Sequence, residues 1–408
     1  MTTTRTVLPT ALTGDQDGTL PWGQGAGLVV PNLAADPGLV YDIAAGDYLK
    51  YVCDITGDPT DCNTGAIKGP ALNLASISLA GVVGVQSITR SVTNVGDKPA
   101  IYTATSTLDG FDVAVTPSSL QLAPGEKQAY TVKLTRTSAV PGVWSTGELV
   151  WNDSEHTVRS PLQARYNDGV SAPEVVSATT VSGSRQIDVQ TGFAGKLAVE
   201  RAGLREYTRL AHTVTQAAPG SLESLEDVKQ ACVARGPGVK AVTLAIPAKT
   251  ILARFEISNQ ETAGGADDDL DLMVLDQWNN VVAFSAHSDS NESVSLVSPP
   301  MGVFKACVLG YKLKNGASTN YTLSYATAIP NDTKGNMKVT APASVQVGGT
   351  SPVVVSWSGL ALGAHYLGGV RMANPAGGIT AVTELNIDTR DVTPATGVAV
   401  AKRLNMEK

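Results

Sequence analysis

The sequence predicts an all-β protein: three tandem immunoglobulin-like β-sandwiches after a short irregular N-terminal segment with one small helix. Composition is the first reason. The 408 residues include 40 Gly and 22 Pro, many Val, Thr and Ser, and only 16% charged side chains, the profile of strands and turns rather than helices. The second is a change of hydrophobic period to two from Leu72 onward, in short runs separated by turn signals. The third is length, which suffices for two to four domains with separate cores.

Residues 1–45 hold short, turn-rich pieces. "AAGDYLKYVC", 44–53, reads as the small helix: Asp47 charges or caps its start, and Tyr48, Tyr51 and Val52 form an apolar stripe at helical spacing. Seven strand-like runs follow, from "LNLASISL" through "VQSITRSVTNVG", "IYTATST", "FDVAVTPSSLQL", "QAYTVKLTRT" and "GVWSTGELVWND" to "HTVRSPLQARY". Seven short strands over roughly 95 residues suit one immunoglobulin-like sandwich. "NDGVSAPE", 167–174, reads as a linker.

A second β-rich region runs to Pro330. Its polar middle, "PGSLESLEDVKQACVARGPG", reads as a short helix or a long loop, and its strands include "KAVTLAIPA", "LARFEISN", "LDLMVLD", "GVFKACVLG" and "TNYTLSYA". "NDTKGN", 331–336, marks a break before a smaller sandwich that closes with "ITAVTELNID", and the last residues read as a loose tail. The expected divisions are 1–70, 71–167, 168–330, 331–392 and 393–408.

A net charge of −7 and the lack of any dense basic run give no reason to expect nucleic acid as a partner. No stretch approaches the ~20 apolar residues of a membrane span. The N-terminal residues lack the charged and apolar regions of a signal peptide. Four cysteines nevertheless hint at an oxidising compartment. They allow three connectivities, and pairing by sequence neighbourhood gives Cys53–Cys62 and Cys232–Cys307. Zinc fails on spacing, since no close Cys pair exists and His156, His212, His287 and His365 are scattered.

"GQGAGLVVPNLAADPGLVYDIAAGDYLKYVC" resembles the segment that follows the catalytic domain in large subtilisin-like serine proteases. "SITRSVTNVGDKPAIYTATSTLDGFDVAVTPSSLQLAPGEKQAYTVKL" and "GELVWNDSEHTVRSPL" resemble the fibronectin type III-like domain that comes next in that family, with its "R-VTNVG" hallmark. Residues 240–327, through "DDDLDLMVLDQWNNVVAFSAHSDSNESVSLVSPPMGVFKACVLGY", are similar to a bacterial pre-peptidase C-terminal sandwich. "VVVSWSGLALGAHYLGGV" is similar to the terminal module of bacterial secreted subtilases.

The resemblance implies an extracellular parent enzyme and a partner, the subtilase catalytic domain, lying upstream. "MTTTRTV" matches a segment near the end of that domain, so residues 1–70 are expected to be its remnant plus a connector. The family's Asp, His and Ser motifs then belong before Met1. A "GTS" does occur at 349–351, but Pro352 and the β run "VVVSW" follow Ser351 where a nucleophile needs a helix start. The expected function is therefore a non-catalytic C-terminal accessory region of a secreted subtilase. The alternatives are a serine hydrolase with an unrecognised site, and a free-standing protein that binds a protein or polysaccharide surface. For the last, Trp22, Trp144, Trp151, Trp278 and Trp357 are candidate platforms, although tryptophans mostly pack cores and edges.

One cation site is a candidate. In "GGADDDLDLMVLD", Leu270, Leu272 and Val274 alternate inward, which puts Asp269 and Asp271 on the outer face about 7 Å apart, with Asp267 and Asp268 on the preceding turn. Calcium takes six to eight oxygen ligands in flexible geometry and suits such a set. Asp289, Asn291 and Glu292 would join it if their loop folds back. The competing reading is a solvated acidic turn, since no ordered calcium loop is present.

Overall fold

The computed structural model describes residues 1–5, 25–56, 62, 65–330 and 336–390. The expected tail at 393–408 and most of the break at 331–336 lie outside them. The fold is all-β: the first sandwich is complete in itself, and the second is interrupted by the third, which is inserted into it.

The first sandwich uses β1 (Leu39–Val40), β2 (Ile77–Val82), β3 (Val85–Asn94), β4 (Ala100–Leu108), β5 (Phe111–Thr116), β6 (Ser119–Leu122), β7 (Lys127–Arg136), β8 (Trp144–Asn152) and β9 (Thr157–Tyr166). One sheet has the order β1-β3-β7-β5 and the other β2-β9-β8-β4-β6. In β9 every second residue from Val158 to Tyr166 is buried, the alternation expected of a strand with one core face. Trp151 and Tyr130, both buried, meet edge-on at 5.1 Å in the centre.

The chain then makes β10 (Val170–Ser171), β11 (Val175–Ala178), β12 (Gly183–Thr191) and β13 (Ala198–Glu206). It next builds an entire sandwich from β14 (Thr208–Thr215), β15 (Val239–Ile246), β16 (Leu252–Ile257), β17 (Asp269–Leu275), β18 (Val281–Ser285), β19 (Glu292–Val297), β20 (Gly302–Lys312) and β21 (Ser318–Ala328). Only afterwards come β22 (Met337–Thr340), β23 (Thr350–Trp357), β24 (His365–Ala373) and β25 (Ala381–Asp388). These last four pair with the strands before the insertion, in the sheets β10-β12-β23-β22 and β11-β25-β24-β13. The inserted body has its own sheets, β14-β21-β16-β19 and β15-β20-β17-β18.

Sheet pairing thus corrects the expected divisions at 168–330 and 331–392. Residues 170–206 and 337–388 form one sandwich with one core, in which Ile187, Val189 and Leu204 pack with Val353, Val355 and Leu385. Residues 208–328 are an insertion. Period-two patterning says which face of a strand is buried but not which strand it pairs with, so the discontinuity left no mark in the sequence.

The sandwiches are fixed to one another. Tyr166 donates to the Gly192 carbonyl, and Gln190 Nε2 donates to Val85 O at 2.7 Å. Gly348, at φ +71, comes so close to Val85 that a Cβ would collide with its side chain. Where the insertion meets its host, His365 stacks on Tyr207 at 4.1 Å and donates Nδ1–H to Glu256 Oε1 at 2.8 Å and Nε2–H to Asn386 Oδ1 at 2.6 Å. Arg254 of the insertion pairs with Glu384 of the host at 3.2 Å as well as with Glu256 of its own strand, and Arg390 bonds Glu261. Burial works against charge on Glu256, yet His365 and Arg254 beside it hold its pKa down at about 2.

Candidate functional site

The connector before the first sandwich is built by the residues of the "DPGLVYD" and "R-VTNVG" motifs. Leu39 and Val40 add a short strand to β3, opposite Asn94 and Thr93. Gly38 turns the chain at φ +70, where a Cβ would strike the Tyr102 hydroxyl and the His156 ring. Tyr41 inserts its hydroxyl between Tyr130 (2.7 Å) and Ser160 (2.8 Å), and burial raises its pKa. Arg90 is almost fully buried and donates to the carbonyls of Leu74, Pro70 and Thr89. Asn94 Nδ2 donates to Lys98 O and Leu122 O while its Oδ1 accepts from Gly96 N. Both motifs are therefore fasteners. His156 joins them, held by Asp153 at 2.8 Å and Asp36 at 3.2 Å, and these carboxylates raise its pKa despite burial.

Two helices sit on this connector, α1 (Pro31–Ala35) and α2 (Ala45–Thr56). Helix α2 extends past the expected 44–53, with Asp47 in its first turn paired to Lys50 at 3.2 Å. Cys53 is its one buried residue and is disulfide-bonded to Cys62 as expected. Of the expected stripe, Tyr51 is half-buried against Gly69 while Tyr48 and Val52 are exposed; Ile55 is exposed too, Leu49 is 57% exposed, and so are Leu28, Val29 and Leu33 earlier in the connector. Apart from Cys53 and Tyr51, the apolar side chains of α2 thus lie in solvent rather than in a core.

The four carboxylates expected to share calcium are not brought together. Asp267 is exposed and bonds Lys314 Nζ at 2.6 Å. Asp268 is buried, with its two oxygens accepting from Gly264 N (3.0 Å) and Lys314 N (2.8 Å). Asp269 and Asp271 remain, on the outer side of β17 as the alternation requires. Among the described residues no group of three or more His, Cys, Asp and Glu side chains is disposed to hold a metal. The Asp289 loop does fold back, but Asp289 accepts from Asn259 and Asn291, and Ser290 Oγ donates to Asp268 O.

Of the loop residues named as conditional members of the set, Glu292 is the one that faces Asp269 and Asp271. It is fully buried, accepts from Ser285 and from His287 N and Nδ1, and bears electrostatically on both aspartates. Burial and this crowding push the pKa of Asp269 to about 6 and of Asp271 to about 8. Asp269 Oδ1 is buried without a hydrogen-bond partner.

Cys232 and Cys307 are brought together, but as two free, buried thiols in contact; the expected bond is not made. Ser351 lies in β23, directly opposite Val189 of β12, a ladder position without a helix to head. Among the described tryptophans, Trp151 and Trp357 are buried, Trp144 is half-buried under Arg165, and Trp278 is 68% exposed on a turn shaped by Asp276. Trp22 lies outside the described residues. No helix among the described residues is long and apolar enough to cross a membrane.

Residues 71–164 match the fibronectin type-III domain family. The chain is 36% identical over 156 residues to subtilisin-like protease SBT5.3 of Arabidopsis thaliana, covering 35% of this chain and 20% of that one. It is 36% identical over 157 residues to subtilisin-like protease SBT3.6 of the same plant, covering 36% and 20%. The chain thus spans about a fifth of the length of the curated relatives it matches. Among solved structures, tripeptidyl peptidase 2 aligns over 80% of this chain and 40% of that one, at 9% identity and a TM-score of 0.22, a superposition too weak to bear on function.

Proposed function

We propose that this polypeptide is a non-catalytic accessory region of a secreted subtilisin-like serine endopeptidase, whose connector face docks on the protease domain. The observation that carries the reading is the connector itself. Its motif residues Gly38, Tyr41, Arg90 and Asn94 are spent on fastening it to the first sandwich, while the apolar side of α2 is left exposed. Similarity to subtilisin-like proteases that extend well beyond this segment supplies the partner that such a face fits. The first sandwich holds the connector, the discontinuous second one spaces it, and the inserted body, of the pre-peptidase C-terminal type, projects from that scaffold. The parent enzyme works outside the cell, in keeping with the Cys53–Cys62 bond.

Peptide hydrolysis by this class needs a histidine-activated serine, a carboxylate orienting the histidine, and an oxyanion hole. The purified chain is expected neither to turn over casein nor to react with a fluorophosphonate probe for activated serines. Stoichiometric labelling of one serine, with turnover abolished by its replacement with Ala, would overturn the reading.

A further inference from the structure

We infer that Cys232 and Cys307 are the halves of a second disulfide, which locks the helix α3 (Leu225–Ala234) to β20 and closes only while that helix is lifted from the sheet. Cys232 lies in the last turns of α3 and Cys307 in the middle of β20, opposite Met273 and Ala241. Both are 0% exposed and their thiols touch, enclosed by Leu222, Val228, Met273, Leu275 and Leu309. A thiol is a weak donor and a weak acceptor, so the contact itself contributes little. A covalent bond would occupy the same apolar space and tie the polar 217–238 stretch to the centre of a sheet.

The reaction needs an oxidant, here a low-molecular-weight or protein disulfide. One cysteine thiolate attacks it and expels the first leaving thiolate. The second cysteine attacks the resulting mixed disulfide and expels the other. The two cysteine protons pass to the leaving thiolates, so two cysteines are oxidised and one disulfide is reduced to two thiols.

Timing follows from burial. The neighbouring thiol and burial raise the Cys232 pKa, which disfavours its thiolate in the closed fold. Only Val228 and Cys232 of α3 are buried, so the helix is lightly held and opening it costs less than global unfolding. The bond therefore forms fast during folding in an oxidising compartment and slowly, through helix opening, afterwards. The inference rests on this geometry and is independent of the accessory-region reading.

The test uses the full chain, reduced and then either kept native or unfolded and refolded, in both cases with oxidised glutathione, and mapped by non-reducing proteolysis and mass spectrometry. Refolded protein is expected to yield the Cys232–Cys307 cross-linked peptide quantitatively. Native protein should yield it slowly, faster with sub-denaturing urea, and the cross-linked form should melt higher. A Cys232→Ala/Cys307→Ala double variant should keep only the part of the oxidant-dependent rise in melting temperature that Cys53–Cys62 contributes. The inference fails if oxidative refolding leaves Cys53–Cys62 as the sole cross-link, with the other two cysteines alkylated after unfolding. It fails equally if either of them pairs with Cys53 or Cys62.

Discussion

Asp271 is 7% exposed and is crowded by Asp269 and Glu292, which outweigh the opposing charge of His287. Its pKa of about 8 in the fold, against ~3.9 unfolded, makes folding take up a proton. Stability from this group is fully present below pH ~4 and is lost as pH rises through about 8. Asp271→Asn, which keeps shape and removes the charge, is expected to raise the melting temperature at pH 9 by roughly 5 °C and to flatten the pH profile between 5 and 9. Differential scanning calorimetry at several pH values checks it, and a lowered melting temperature at pH 9 would mean the carboxylate has a partner that makes its charge favourable. The crowding of the Asp run was legible in the sequence. That Lys314, in the turn after β20, and the backbone N–H of Gly264 take two of its members was not, because the pairing of β17 with β20 that brings Lys314 there is not written in the local pattern.

At the scale of elements, the clear strands and the helix at 44–53 are legible in the sequence, while α3 is not. The runs named from period-two alternation appear as β2–β9 and β15–β25, because a sheet with one dry face writes its alternation directly into the sequence, whereas β10–β14, between 170 and 215, are strands that the reading did not name. Helix α3 was left between helix and loop, since only Val228 and Cys232 are buried and a ten-residue segment with two core residues carries a weak periodic signal. What defines it is its start. Ser224 Oγ accepts from Asp227 N at 3.2 Å, and Asp227 Oδ2 accepts from Ser224 N at 3.1 Å, a reciprocal cap. Ser224→Ala is expected to cost about 1 kcal/mol of local stability. In reduced protein, Cys232 should then react with a thiol alkylating reagent roughly fivefold faster, since helix opening gates its exposure. An unchanged rate would show that α3 opens as a unit with the sheet beneath it.

The nesting of one sandwich in another decides how the whole molecule comes apart. The chain leaves the host after β13 and returns at Pro330, which bridges to Ala202 of the same strand, so the two ends of the insertion lie side by side. The host's other half arrives only with β22–β25. β23 pairs with β12 from Gly183 through Gln190, β24 pairs with β13, and β25 runs parallel to β11. Two truncations that look equally harmless in a tandem array should therefore behave oppositely. A chain ending at 330 keeps the first and inserted bodies but strips β11, β12 and β13 of their partners and opens the core around Ile187, Val189 and Leu204. It is expected to lose one calorimetric transition and to bind a hydrophobic dye such as ANS. Excising 208–328 and bridging the gap with a short Gly/Ser linker should leave the host folded, because the ends are already adjacent and closing a short loop costs little. That variant should keep the transitions of the first and host sandwiches, with only the small patch around Leu367 and Val382 that packed on the insertion newly exposed. A 1–330 chain with every transition of the full protein would instead mean that 170–206 folds without 337–388, and the nested topology would have to be abandoned.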